Sequence, residues 1–193
     1  MALLPPISTR EIAEGLYGAT RLARGDASGI RFFGDTPEAF WKSFWAAVLS
    51  APAYALLVLF QLADAEIRSG PLRVILIESV GYVVAWVAFP LAMHYLAEFI
   101  DRREHYIRFI AAANWASVLQ FALQLFVAAF LALDILPPGL ARFLQYATYG
   151  AIILYEWWIA RVGLQLGRGG AVGIVILDFV ISLVLSGIVG AML

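Results

Sequence analysis

Tyr155-Glu156-Trp157-Trp158-Ile159-Ala160-Arg161 lies inside an apolar run from about Phe143 to Leu166. A carboxylate and a guanidinium in such a run meet hydrocarbon unless neighbours shelter them. Ionised groups are costly in a bilayer, so they turn into a helix bundle and find partners there. Reading this stretch as membrane-embedded makes the other apolar segments its shelter.

The rest of the composition agrees. Of 193 residues, 63% are hydrophobic and 14% charged, whereas a soluble domain is about half apolar and about a quarter charged. Apolar runs long enough to cross a bilayer recur along the chain. The expected fold is all-α: a polytopic membrane bundle of five transmembrane helices with an N-terminal amphipathic interfacial helix. There is no cysteine, which excludes disulfides, zinc-thiolate sites and thiol chemistry. The net charge of −1 gives no attraction to nucleic acid. Nothing names a reaction or a cofactor, so no enzyme is expected. Met1-Ala-Leu-Leu-Pro-Pro6 has neither the basic start nor the apolar core of a secretory signal, so insertion is expected to use the first membrane helix.

Residues 1–40 read as a cytoplasmic N-terminal segment and 41–193 as the membrane domain. Ser8 or Thr9 caps a first helix, with Glu11 and Glu14 near its positive end. Ile12, Leu16, Ala19 and Ala23 form a thin apolar stripe, which predicts a helix on the membrane surface. Gly15, Gly18 and Gly25 weaken that helix. Around Asp35-Thr36-Pro37-Glu38, Asp35 or Thr36 caps, Pro37 suits the first turn, and Glu38 reaches back as in a capping box. Phe32, Phe33, Phe40, Trp41, Phe44 and Trp45 make an aromatic anchor at headgroup depth, with Lys42 snorkelling. Five spans follow, over about 41–63, 72–97, 106–133, 143–166 and 171–193. Pro52 should kink the first. Asp64 to Pro71 reads as a tight polar turn, and Leu136-Pro137-Pro138-Gly139 and Gly167-Arg168-Gly169-Gly170 as breaks.

Arg10, Arg21, Arg24, Arg31, Lys42, Arg102, Arg103, Arg108, Arg161 and Arg168 fall on one side, against Arg68, Arg73 and Arg142 on the other. Positive charge stays in the cytoplasm, so the N-terminus is expected inside and the C-terminus outside. A bacterial inner membrane is the expected location.

Depth then suggests a polar cluster in the inner half of the bundle. Arg161 lies roughly 8 Å from the inner end of the fourth span and Asp178 roughly 10 Å into the fifth. Glu156 lies deeper. Asn114, Ser117, Gln120 and Gln124 recur at spacings of three, three and four, so they share one face. Two readings stay open. A buried Arg161–Asp178 pair with amide neighbours would fix helix order. Alternatively, Glu156 and Asp178 form a proton or solute site. Glu78 stands alone near the outer side of the second span. His94, Glu98, Asp101 and His105 would share a face on an unbroken helix, with ligand types that suit a divalent metal. No zinc motif such as H-E-x-x-H is present, and no metal is expected. Ser182, Ser186 and Gly190, spaced by four, make a small-residue ridge for helix packing within the bundle or in a dimer.

Thr36-Pro37-x-x-Phe40-Trp41, opening a proline-containing first span, resembles the Yip-type family of five-span membrane proteins. So does Tyr106-Ile-Arg-Phe-Ile-Ala-Ala-Ala-Asn114-Trp115 at the start of the third span. The Phe32 to Trp41 entry and the Asn114-Trp115 segment are also similar to small inner-membrane proteins of alphaproteobacteria. Eukaryotic members of the family are linked to small GTPases and vesicle traffic, but no GTPase-binding motif maps onto this chain. The resemblance implies no catalytic residues. It implies a non-enzymatic accessory or scaffold role, binding other membrane proteins or organising the bilayer. The alternative is a small transporter or proton-coupled carrier built on Glu156, Arg161, Asp178, Asn114 and Gln120. Expected partners are the bilayer and a membrane protein or a second copy.

Overall fold

The computed structural model describes residues 4–63 and 70–193. The described residues form seven α-helices and one short 3-10 helix, with no strand among them. They are α1 Thr9–Ala23, α2 Pro37–Ser43, α3 Trp45–Ala63, α4 Pro71–Phe99, α5 Arg103–Leu131, α6 Pro138–Gly163 and α7 Arg168–Met192, with the 3-10 helix at Ala27–Phe32. The polar turn expected after α3 lies outside the described residues from Asp64 to Ser69.

Local chemistry accounts for the helix ends. Ser8 caps α1 in a full capping box: its hydroxyl accepts from the Glu11 amide, and the Glu11 carboxylate accepts from the Ser8 amide at 2.8 Å. Thr36 caps α2 by accepting from the Ala39 amide at 3.2 Å, with Pro37 in the first turn. Glu38 does not close a capping box here. It sits one position too early in the helix and pairs instead with Lys42 at 2.7 Å. The first expected span is divided at Phe44 into α2 and α3. Left-handed residues Asp101, Asp134 and Gln165 separate the later helices, each at a boundary where the chain must reverse.

Pro37–Leu62, Pro71–Phe99, Arg103–Leu131 and Arg168–Met192 are each long and apolar enough to cross a membrane. Helix α6 has 26 residues but is less apolar, because Gln145, Thr148, Glu156 and several Tyr and Trp residues interrupt it. Pro52 and Pro90 lie inside continuous helices α3 and α4, where each removes one backbone donor. Neighbouring side chains supply hydrogen bonds close to both positions. The Tyr82 hydroxyl donates to the Ala47 carbonyl at 2.6 Å and the Tyr106 hydroxyl to the Pro90 carbonyl at 2.9 Å. Neither bond reaches the carbonyl that the proline leaves without its helical donor, Val48 or Trp86, four residues earlier; the two bonds instead tie α4 to α3 and to α5.

Helix α5 is central. It packs against α1, α2, α3, α4 and α6, while α7 leans on α4 and α6. The buried core clusters at one end of the bundle, around Leu22, Met93, Ile110, Trp115, Ile159, Leu164 and Ala171. We call this the near end; Ala132 to Pro137 lie at the far end. Around the long helices, apolar side chains face outward: Phe126 is 70% exposed and Leu183 61%. A surface of this kind in water would be a large unpaid hydrophobic patch, but it suits a bilayer.

The N-terminal helix is docked on the bundle. Its apolar face, with Gly15, Gly18, Ala19 and Leu22 buried, is turned onto the bundle. A Cβ at Gly15 would come within 2.6 Å of the Trp115 ring, and one at Gly29 within 2.6 Å of the Gly18 carbonyl. The glycines that weaken α1 as an isolated helix are therefore what lets it seat. Ala23, expected on the apolar stripe, is exposed. Polar ties hold this layer down. Lys42 Nζ donates to Glu11 at 2.7 Å, Arg108 to Asp35 at 2.7 Å and to the Phe33 carbonyl at 3.1 Å, and Tyr155 Oη to the Ala19 carbonyl at 2.7 Å.

The Lys42 hydrogen bond, with help from Ser8, lowers the Glu11 carboxyl from its ordinary 4.5 to about 2. A depressed carboxyl stabilises the folded arrangement above its unfolded value and loses that contribution as pH falls through the folded one. Amide exchange in α1, corrected for intrinsic rate, is therefore expected to accelerate between about pH 4.5 and 2. A profile flat across that window would deny Glu11 a role in docking. Gly15→Val should cost about 1–3 kcal/mol by overpacking. The readout is earlier unfolding in mild detergent and faster tryptic cleavage after Arg21 or Arg24. Unchanged cleavage would mean that α1 is not seated on Trp115.

Candidate functional site: an acidic pocket among four helices

The polar face of α5 is set by helical spacing. Ser117, Gln120 and Gln124 fall within one narrow arc, while Trp115 points roughly the opposite way, at about 100° per residue. The Trp115 side meets α1. The other side opens into a pocket of about 290 Å³ between α4, α5, α6 and α7. Glu156 from α6 and Asp178 and Ser182 from α7 line it, with Trp86 and Phe89 of α4 as an apolar wall. No Lys, Arg or His side chain is among its lining residues.

Each polar group has a definable state. Gln120 Nε2 donates to Glu156 Oε1 at 3.3 Å, a long and weak contact. Asn114 is buried and donates through Nδ2 to Ser43 Oγ at 2.8 Å, and Ser43 donates onward to the Phe40 carbonyl at 2.6 Å. That chain locks α2 to α5. The Ser117 hydroxyl donates back to the Ala113 carbonyl at 3.0 Å. Asp178 has no hydrogen-bond partner among the described residues. The pocket thus holds two carboxyl groups and several amide or hydroxyl groups, with no fixed positive charge. Chemically it can receive a positive charge and orient it with neutral dipoles.

Of the residues expected in the cluster, Asn114, Gln120, Glu156 and Asp178 do line one pocket. Arg161 does not join them, and the expected Arg161–Asp178 pair is not formed. The Arg161 guanidinium lies 5.6 Å from the Trp157 ring centroid and 5.8 Å from that of Trp158, in the range of cation–π attraction. Depth alone suggested the pair. Five residues of helix rotate a side chain by about 140° relative to Glu156, so Arg161 turns away from the pocket that Glu156 faces.

The small-residue ridge does not pack within the bundle at Ser186 and Gly190, which leaves its other reading, a dimer face. Ser182, Ser186 and Gly190 are exposed, and a Cβ at Gly190 meets open space. The close approach of α4 and α7 lies elsewhere: a Cβ at Gly81 would come within 2.8 Å of Val189. Gly81 was the signal to read, a glycine in mid-run on a membrane helix. Glu78 is not alone either, since Tyr54 Oη donates to it at 2.6 Å. The metal reading fails on geometry. Helix α4 ends at Phe99 and Asp101 is left-handed, so the four-three-four spacing no longer falls on one face. No set of three His, Asp or Glu residues among those described is placed to hold a metal ion.

A double-mutant cycle tests the separation. Arg161→Gln and Asp178→Asn should be additive in stability, to within about 0.5 kcal/mol, as independent sites are. A coupling above about 1 kcal/mol would show that the two side chains do pair.

The chain matches no protein-family model, and neither the curated proteins nor the solved structures contain a match to it.

Proposed function

We propose that this is a small integral membrane carrier that takes a positively charged solute, or a proton, into the pocket beside Glu156 and Asp178. The observation that carries the reading is the pocket's charge: two carboxyl groups and no basic side chain in its lining. A purely structural polar cluster would need Arg161 as counter-charge, and Arg161 stacks on tryptophans instead. Buried ionisable groups in membrane segments are expensive and mark ion or substrate paths.

In this reading α6 is a fifth span beside α5. Its 26 residues give about 39 Å of helix, more than the hydrocarbon thickness of about 30 Å. On the same reading the Lys/Arg distribution favours a cytoplasmic N-terminus and a C-terminus on the other side of an inner membrane. Helix α1, with exposed Tyr17, sits at the headgroup level as the interfacial layer of the near end.

A second reading, the accessory or scaffold role that the Yip-type resemblance implies, keeps one observation in its favour. Ser186 and Gly190 are exposed, and a Cβ at Gly190 would meet none of the described residues, as part of a helix-packing row awaiting a partner would.

Thermal stability of the purified protein, titrated with sodium, potassium, choline and tetraethylammonium ions, tests the carrier reading. At least one cation should raise the unfolding temperature. The shift should vanish in Asp178→Asn and shrink in Glu156→Gln, while Arg161→Gln keeps it. Equal shifts in wild type and Asp178→Asn would reject the assignment. A stoichiometric companion protein in mild detergent, lost on Ser186→Leu, would favour the scaffold instead.

A further inference from the structure

We infer that the acidic pocket is one half of a polar pathway through the whole bundle, and that Gln124 is the point where its two halves meet. The inference rests on the carrier reading and supplies its route. A second cavity, of about 460 Å³, lies between α3, α5 and α6 toward the far end. Gln124 lines both cavities. On α5 the two linings together run from Phe109 to Ala132. That is about 35 Å of helix rise, against a hydrocarbon core of about 30 Å. End to end, the cavities are as long as the bilayer is thick.

The far cavity mixes apolar side chains with amides, two of which, Gln61 and Gln145, are exposed. Gln61, Gln124 and Gln145 line it from three different helices, and none has a side-chain hydrogen-bond partner among the described residues. Amides left without partners in hydrocarbon cost several kcal/mol. Water in the cavity, at roughly 30 Å³ per molecule, removes that cost. Non-helical or unpaired polar groups are tolerated at membrane depth where they line a water-filled space. The occupant is therefore water together with a small hydrophilic cation, passing from the glutamine-lined groove to the carboxyl-lined pocket. The neutral Gln124 amide stands between the two and positions the solute without trapping it.

Because the chain has no cysteine, single-cysteine variants of the full-length protein in oriented proteoliposomes report the route directly. The probe is a membrane-impermeant maleimide added from the far side. Gln145→Cys and Gln61→Cys should label, Ser117→Cys should label more slowly, and the outward-facing controls Phe126→Cys and Leu183→Cys should not. Adding Gln124→Trp should abolish far-side labelling of Ser117→Cys and leave its near-side labelling intact. Should the tryptophan variant misfold, Gln124→Leu serves, with a slowed rather than abolished reaction. Failure of Gln145→Cys and Gln61→Cys to label, or far-side labelling of Ser117→Cys that ignores residue 124, would overturn the pathway. Labelling as expected with no cation response in the thermal titration would remove the carrier reading and leave the wet pathway standing. A cation response that needs Asp178 without labelling past Gln124 would do the reverse.

Discussion

Hydrocarbon offers a side-chain amide no partner, and this constraint sets the rotation of α5 and, through it, the rest of the bundle. Helix α5 carries Asn114, Ser117, Gln120 and Gln124 on one side and Trp115 on the other. Each polar group must find protein or water. Asn114 reaches Ser43 across to α2, and Gln120 reaches Glu156 on α6. With those contacts made, Trp115 can only face the N-terminal layer, and Gly15 accepts it. A rotation of α5 by a quarter turn would break all three arrangements together.

The same constraint explains why the molecule is unevenly packed. Its core lies at the near end, where α1, the 3-10 helix and α2 close over the long helices. There, ordinary close packing applies, with buried Leu22, Met93 and Ile110. Toward the far end α3, α5 and α6 enclose a cavity whose lining mixes apolar residues with Gln61, Gln124 and Gln145. The hydrophobic effect does little between helices already in lipid, so contact there depends on small residues and on polar groups. Gly81 against Val189 supplies the first; the second are Tyr54 with Glu78, which joins α3 to α4, and Arg73 with the Met192 carbonyl, which joins α4 to α7.

Charge placement separates two kinds of ion pair. Those at the near end, Lys42 with Glu11 and Glu38 and Arg108 with Asp35, are partly exposed and individually weak. Their effect is to register one layer on another. Within the bundle the arrangement is lopsided: Glu156 and Asp178 share a pocket with no basic neighbour, while Arg161 is held by aromatic faces. Lopsided charge is a poor way to hold helices together and a good way to receive a cation.

The sequence by itself determined the helical class, the caps of α1 and α2 and the polar row on α5. Those features depend on spacing, capping and composition within one segment. It also put Arg161 and Asp178 near one depth, with Asn114 close to it and Glu156 deeper. Tertiary structure alone decided which of these meet. Arg161 lies near the depth of Asp178 but points elsewhere, because depth follows from counting residues and facing follows from how each helix is rotated against its neighbours. Gly15 and Gly18 read as helix-weakening until the partner surface is known, and then they are the seat for Trp115 and the 3-10 helix. Glu78 looks solitary until α3 brings Tyr54 beside it. In each case the missing information is the angle of one helix about its own axis, which only the packing of the others can set.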